Sequence, residues 1–368
     1  MSDWSHVGSA GKGVLPPLPS VSRSAWSEPD QQLTAVHWQA ALLIDLLVAR
    51  DISSHKILRG TGVFYEDISE GTQRMSALQL LQLIKNARQL DGEDDLSFRW
   101  GSSALPGHCG SYSQLLAASE NLQQFLDILV RYCRVFLPLL TPRIYQDKRH
   151  LYLQWVPVMG LGEHQPFLVE MAMTAVSAAS RWLHGSALPW RYCFSHTAPG
   201  YSEHYQLNLG DNLQFDAGID LMMIDVRWLP EPWQKTAFSI SPTALRMHQK
   251  SCEEQWQADF AAPLLAESVY SWLMTEVRQS PGLEVVAQAY CMSPATFKRK
   301  LKKHQTSFQQ LQDQARLHTS LYLFHVNGWS NEQVANYLSF NDTTNFRRAF
   351  KRWSGLTPSD SKLRFSVS

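Results

Sequence analysis

Thr343, Thr344, Asn345, Arg347, Arg348 and Lys351 lie in one short stretch near the end of the chain. Their chemistry is recognition, not bond-making. Arg can fork onto guanine or phosphate, Asn onto adenine, and Lys onto phosphate. An earlier stretch carries a comparable set in Ala295, Thr296, Lys298, Arg299 and Lys302. Enzyme-like groupings are poorer. Cys193 with His196 and His204 has neither a paired Cys-x-x-Cys nor a His-Glu-x-x-His arrangement, so structural roles fit these residues better. Glu163, His164 and Glu170 read as a polar loop leading into a helix, and Gly160-Leu161-Gly162-Glu163 is too short a phosphate-loop signal. No Gly-x-Ser-x-Gly elbow or Gly-x-Gly-x-x-Gly turn is present. No catalytic residue, metal or cofactor is expected.

The two polar sets need helices to present them. Glu332 to Leu338 has Val334, Ala335 and Leu338 on one side, which predicts a short helix. A turn follows at Ser339 to Asn341. Asn341 or Asp342 can cap a second helix whose Phe346 and Phe350, at i and i+4, point inward. That is a helix-turn-helix with its second helix as reader. A solvated basic helix is the simpler alternative, and an internal repeat weakens it. Val286 and Ala287 precede Val334 and Ala335 by 48 residues, and Phe297 precedes Phe346 by 49, so the second turn has gained one residue. Ser293 is a good N-cap, and Pro294 suits the first helical position. Ser307 to Val326 can form one helix about 30 Å long, close to the roughly 34 Å repeat of B-DNA. Such a rod would hold two readers in successive major grooves.

Here the chain resembles the AraC family of bacterial transcription regulators. The resemblance is carried by Phe346-Arg347-Arg348-Ala349-Phe350-Lys351-Arg352 with Gly355, Thr357 and Pro358 downstream, and by Met292 to Leu301 upstream. It implies that Ala295, Thr296, Lys298 and Arg299 of the first reader, with Lys302 beside them, and Thr343, Thr344, Asn345, Arg347 and Arg348 of the second face DNA bases, and that Lys351 meets phosphate. In that family an aromatic residue and Arg usually follow the final Pro. This chain has Ser361 and Lys362 there.

The formal net charge is zero, yet the halves differ. From Ser268 onward there are 13 Lys+Arg against 6 Asp+Glu; the preceding residues hold 20 against 27. A basic module on an acidic body suits a DNA reader attached to something else. The five cysteines are dispersed and read as reduced thiols of a cytoplasmic protein. No apolar run is long enough to span a bilayer, and residues 1–30, rich in Ser, Gly and Pro without a secretion signal, are expected to be a disordered tail.

Residues 31–233 show helical stripes first, at Leu33 to Leu47, from Ser76 to Leu90, and at Asn121 to Phe136. Period two then appears at Arg143 to Trp155; after a helix at about 166–184, strand-like runs follow at Trp190 to Ser195, Tyr205 to Leu209 and Leu221 to Val226. The expected class is multidomain: an α+β N-terminal regulatory domain, a connection at 234–262 that is partly helical at Thr243 to Ala258, and an all-α double helix-turn-helix domain at 263–368. The layout of the first part, with Phe215 to Ile224, is similar to the N-terminal arabinose-binding-like domain of one AraC subfamily. The resemblance implies a regulator, more often an activator, that binds double-stranded DNA, contacts RNA polymerase and answers a small-molecule effector, with a homodimer as one arrangement. A constitutive DNA-binding protein controlled by dimerisation or by a protein partner is the alternative.

Overall fold

The computed structural model describes residues 26–32, 37–71, 74–107, 109–234, 241–259 and 262–365. The first 25 residues of the expected tail lie outside them. The N-terminal body begins with helices α1 (His37–Val48), α2 (Ser54–Ile57), α3 (Tyr65–Ser69), α4 (Ala77–Leu90), α5 (Leu96–Ala104), α6 (Ser111–Ala117) and α7 (Leu122–Phe136). The strands β1 (Leu140–Gln146) and β2 (His150–Pro157) form a hairpin, followed by α8 (Gln165–His184), β3 (Arg191–Cys193), α9 (Ser202–Leu209), β4 (Leu213–Gln214) and β5 (Leu221–Asp225). Helix boundaries follow local chemistry. Ser76 caps α4 and exchanges hydrogen bonds with Gln79, and Asn121 caps α7 by accepting from the Gln124 amide at 2.9 Å. Helix α8 is apolar nearly all round and therefore runs through the core, packed on α5. Gly101 permits that approach, since a Cβ there would lie 2.5 Å from the Met171 carbonyl oxygen.

The sheet order is β1-β2-β5-β3-β4, antiparallel except for the parallel β3–β4 pair. Its alternation divides two hydrophobic clusters. Leu151, Leu153, Met222 and Ile224 face the helices of the body, whereas Tyr145, Tyr152, Leu221 and Met223 face away from them. That second face is covered by the C-terminal module.

Three sequence expectations change here. Tyr205 to Leu209 is part of helix α9, not a strand: Tyr205 and Leu209 are i,i+4 neighbours on one buried side, and short apolar runs do not fix the period. Two further helices, α5 and α6, lie between the expected helices at Ser76 to Leu90 and Asn121 to Phe136. The helix expected at Thr243 to Ala258 of the connection forms as α10 (Pro242–Asp259), but it packs against α6 and α7 of the body instead of standing as a link. Cys252 is buried there, and Glu253 accepts hydrogen bonds from Arg131 at 2.8 Å and Tyr132 at 3.2 Å.

The module comprises α11 (Leu265–Thr275), α12 (Leu283–Ala289), α13 (Pro294–Lys303), α14 (Phe308–His325), α15 (Asn331–Tyr337), α16 (Thr343–Ser354) and α17 (Pro358–Phe365). Residues 26–30, expected in the tail, are attached to its start: the Ser27 amide donates to the Pro263 carbonyl at 2.8 Å, and the Leu265 amide donates to Ser27 at 3.2 Å.

Candidate nucleic-acid interface

The pairs α12–α13 and α15–α16 repeat one geometry. After α12 the chain turns at Cys291 with φ 55°, and the Met292 amide donates to Ala287 at 2.9 Å. After α15 it turns at Ser339 with φ 60°, and the Phe340 amide donates to Ala335 at 2.9 Å. Ser293 then caps α13, while Asp342 caps α16. The residue gained in the second unit falls between these points, at Asn341. Each reader is anchored by its aromatic and aliphatic side: Phe297 and Leu301 in the first, Phe346 and Phe350 in the second, all fully buried.

The opposite sides are free. Ala295, Lys298, Arg299 and Lys302 are exposed on α13; Thr344, Asn345, Arg347, Arg348 and Lys351 are exposed on α16. Thr296 and Thr343 are only half-exposed. The Thr296 hydroxyl lies 3.0 Å from its cap Ser293, and Asn345 donates one amide hydrogen to Asp342 at 2.6 Å. Helix α14 joins the readers. It spans 18 residues, about 27 Å, is capped by Ser307, and contributes Leu311 and Ala315 to the first unit and Leu321, Leu323 and Phe324 to the second. The Ser361-Lys362 departure is accommodated in α17: Ser361 is buried, and Lys362 sits 4.3 Å over the Phe324 ring while donating to the Trp329 carbonyl at 2.9 Å.

Polar contacts tie this module to the body. Arg143 in β1 donates to the Tyr270 hydroxyl at 2.8 Å, and that hydroxyl lies 2.7 Å from Nδ1 of His318 on α14. Since Tyr270 accepts from Arg143, its own proton goes to His318, leaving Nε2 as the protonated ring nitrogen. Burial pushes the His318 pKa down to about 3, with Arg143 acting in the same direction. Thr141 donates to Glu267 at 2.8 Å, and Arg134 pairs with Glu267. Glu28 pairs with Lys300 and Lys303 on the flank of α13, and Asp30 with Lys303 at 2.8 Å. Burial works to raise the Glu28 pKa, but the two lysines outweigh it and hold the carboxyl below its ordinary range. On α16, Arg352 pairs with Asp313 of the rod at 3.3 Å. None of these long-range pairs has a local sequence signal.

The enzyme-like groupings are dispersed into structure. Cys193 is buried on the sheet face toward α14, and burial pushes its thiol up to about 12. His196 shares a hydrogen bond with the Tyr205 hydroxyl at 2.8 Å. Glu170 lies in the helix expected at about 166–184, buried inside α8, and accepts from Ser97 at 2.6 Å, from Tyr201 at 3.0 Å and from Tyr205. Among the described residues no group of three His, Cys, Asp or Glu could hold a metal, and no helix is long and apolar enough to cross a membrane.

Comparison with known proteins identifies the two parts of the chain by sequence. Residues 52–233 match the family described as the arabinose-binding domain of AraC transcription regulator, N-terminal; residues 286–364 match a helix-turn-helix domain family. The chain is 26% identical over 330 residues to the ornithine utilization regulator of Pseudomonas aeruginosa, covering 87% of this chain and 94% of that one. It is 30% identical over 94 residues to the transcriptional regulator AdiY of Escherichia coli, covering 26% of this chain and 37% of the relative. A crystal structure of the transcriptional regulator CdpR from Pseudomonas aeruginosa aligns over 89% of this chain and 98% of its own, with TM-score 0.38 and 16% identity. These domains and relatives are those of transcription regulators, which are not enzymes.

Proposed function

Because the chain belongs to the AraC family of transcription regulators, we propose that its double helix-turn-helix module reads two half-sites of double-stranded DNA and that its N-terminal body makes this reading depend on a small-molecule effector. The carrying observation is the pairing of two similar helix-turn-helix units on one continuous helix, α14, each with the polar side of its second helix exposed while the body packs elsewhere on the module. Base contacts are assigned to Ala295, Thr296, Lys298 and Arg299 in the first half-site, with Lys302 as a further DNA contact beside them, and to Thr343, Thr344, Asn345, Arg347 and Arg348 in the second. Lys351 is assigned to phosphate. The regulatory part is taken as 31–233 with α10 added, and the DNA-binding part as 263–368. The protein acts in the cytoplasm as an activator that touches RNA polymerase at the promoter. The name of the Pseudomonas relative makes ornithine the first candidate effector.

Footprinting of the full chain on the DNA upstream of its own and neighbouring genes tests the reading, together with a promoter reporter supplied with ornithine and other metabolites. The expected result is protection of two unequal half-sites on one DNA face and a metabolite-dependent rise in output. Protection with output indifferent to every metabolite would favour control by dimerisation or a protein partner. Absence of any preferred duplex would defeat the DNA assignment.

A further inference from the structure

Between the sheet and the rod lies a cavity of about 190 Å³, bounded by β2, the residues before β5, α14 and the end of α16. A dry cavity of about 150 Å³ accepts benzene, so this one has room for a molecule on the order of six to ten non-hydrogen atoms. A neighbouring cavity of about 30 Å³, between the sheet's outer face and α14, is too small. The larger cavity is polar in a specific way. Its lining residues include Asp220 and Asp313 and neither Lys nor Arg.

Asp220 is buried and held in place: Oδ1 accepts from the Ser195 amide at 2.8 Å, and Oδ2 accepts from Gln165 at 2.8 Å and from the Ser195 hydroxyl at 3.0 Å. No Lys or Arg pairs with it among the described residues. The wall also holds two indoles, Trp155 and Trp353, whose buried N–H groups have no acceptor among the described residues. Trp155 is only 1% exposed, so its donor is shut away from bulk water. A buried donor without an acceptor costs free energy that a ligand oxygen would recover.

We propose that this interdomain cavity is the effector site, and that it takes a small aliphatic ammonium compound, either a basic amino acid or the corresponding diamine. The ammonium sits between Asp220 and Asp313. In an amino acid, the carboxylate accepts from the indole N–H of Trp155 or Trp353; a diamine uses the acidic side alone. This rests on the effector-dependent reading above and adds the place and the chemistry. It also supplies a route to DNA. Asp313 is the residue that engages Arg352 on the second reader, so an ammonium drawing on Asp313 frees a guanidinium beside Lys351 and Arg348. Ligand and DNA then each raise the other's affinity by the same factor.

The test is calorimetric titration of the full chain with L-ornithine, putrescine and glutarate, repeated on Asp313→Asn and Asp220→Asn. Asp313→Asn is the decisive variant, because Asp220 lies in the core and its change can cost folding. Expected are binding of at least one amine, no binding of glutarate, and at least a tenfold loss of amine affinity in Asp313→Asn. A preference for L-ornithine identifies the amino acid as the source, and a preference for putrescine the diamine. Failure of both amines to bind the unaltered chain, equal binding by glutarate, or undiminished binding to Asp313→Asn overturns the site. If the amine binds and Asp313→Asn loses it, yet DNA affinity is the same with and without amine, the site stands and effector control of DNA binding falls.

Discussion

Gly160 of the body lies directly against Gln305 of the first helix-turn-helix: a Cβ built on Gly160 would lie 1.9 Å from the Gln305 carbonyl oxygen. The neighbouring backbone is hydrogen-bonded across the same junction, with the Gly160 amide donating to the His304 carbonyl at 2.9 Å. A second glycine serves the other unit. Gly218, at φ 72°, would bring a Cβ to 3.1 Å from the Ser354 side chain. The body therefore touches both readers' supports, and the junction depends on residues without side chains.

Gly160→Ala is expected to pry the first unit from the body, because carbonyl oxygen and backbone cannot yield as a flexible side chain would. Overpacking of this kind costs about 1 to 3 kcal/mol. Differential scanning calorimetry of the variant should show a lowered or divided transition. An unaltered single transition would mean that the junction is not held at this point.

Arg299→Ala and Arg348→Ala should each weaken specific DNA binding by about 1 to 3 kcal/mol and relax base preference at one position, because a guanidinium fork reads guanine in the major groove. Lys351→Ala should weaken binding to all sequences alike and lower the salt slope by about 1. Binding-site selection at two salt concentrations separates these outcomes. An Arg348→Ala protein with the footprint of the parent would remove α16 from the reading face.

Glu28→Gln removes the carboxylate that pairs with Lys300 and Lys303 on α13. Lys300 loses its partner while Lys303 keeps Asp30 at 2.8 Å, so affinity for random duplex should rise and the dependence on salt should steepen by about one counterion. Fluorescence anisotropy with random DNA measures both. Unchanged salt dependence would mean that Lys300 lies too far from the duplex to matter.

Two buried histidines, His304 and His318, and the half-buried His325 predict acid sensitivity. Burial is the main cause that lowers His318 to about 3, His304 to about 4 and His325 to about 4; Glu28 opposes it at His304, while Lys362 adds to it at His325. The unfolded chain takes up these protons near pH 6.5 and the folded chain does not, so stability is full above that pH. It falls as pH drops toward the folded values, by up to about 1.4 kcal/mol per pH unit for each histidine. Urea unfolding between pH 7.5 and 5 checks the slope. His318→Gln, which keeps an acceptor for Tyr270, should reduce it; a profile indifferent to both pH and this change would show that these histidines are not kept neutral.

The sequence by itself determined the two helix-turn-helix units and the long helix between them. Ser293, Ser307 and Asp342 cap helices through bonds that span three residues, and Phe297, Phe346 and Phe350 mark buried sides by helical spacing. Such features are local, so a one-dimensional pattern contains them. The caps Ser76 and Asn121 were legible for the same reason, whereas Tyr205 to Leu209 was too short for its period to distinguish helix from strand. Only the tertiary structure decided what covers the outer face of the sheet, where α10 packs, which lysines Glu28 engages, and that Asp220 and Asp313 share a cavity. Those relations join residues far apart in the chain. Burial and charge pairing act across space, and a carboxylate destined for a cavity has the same local sequence signature as one facing water.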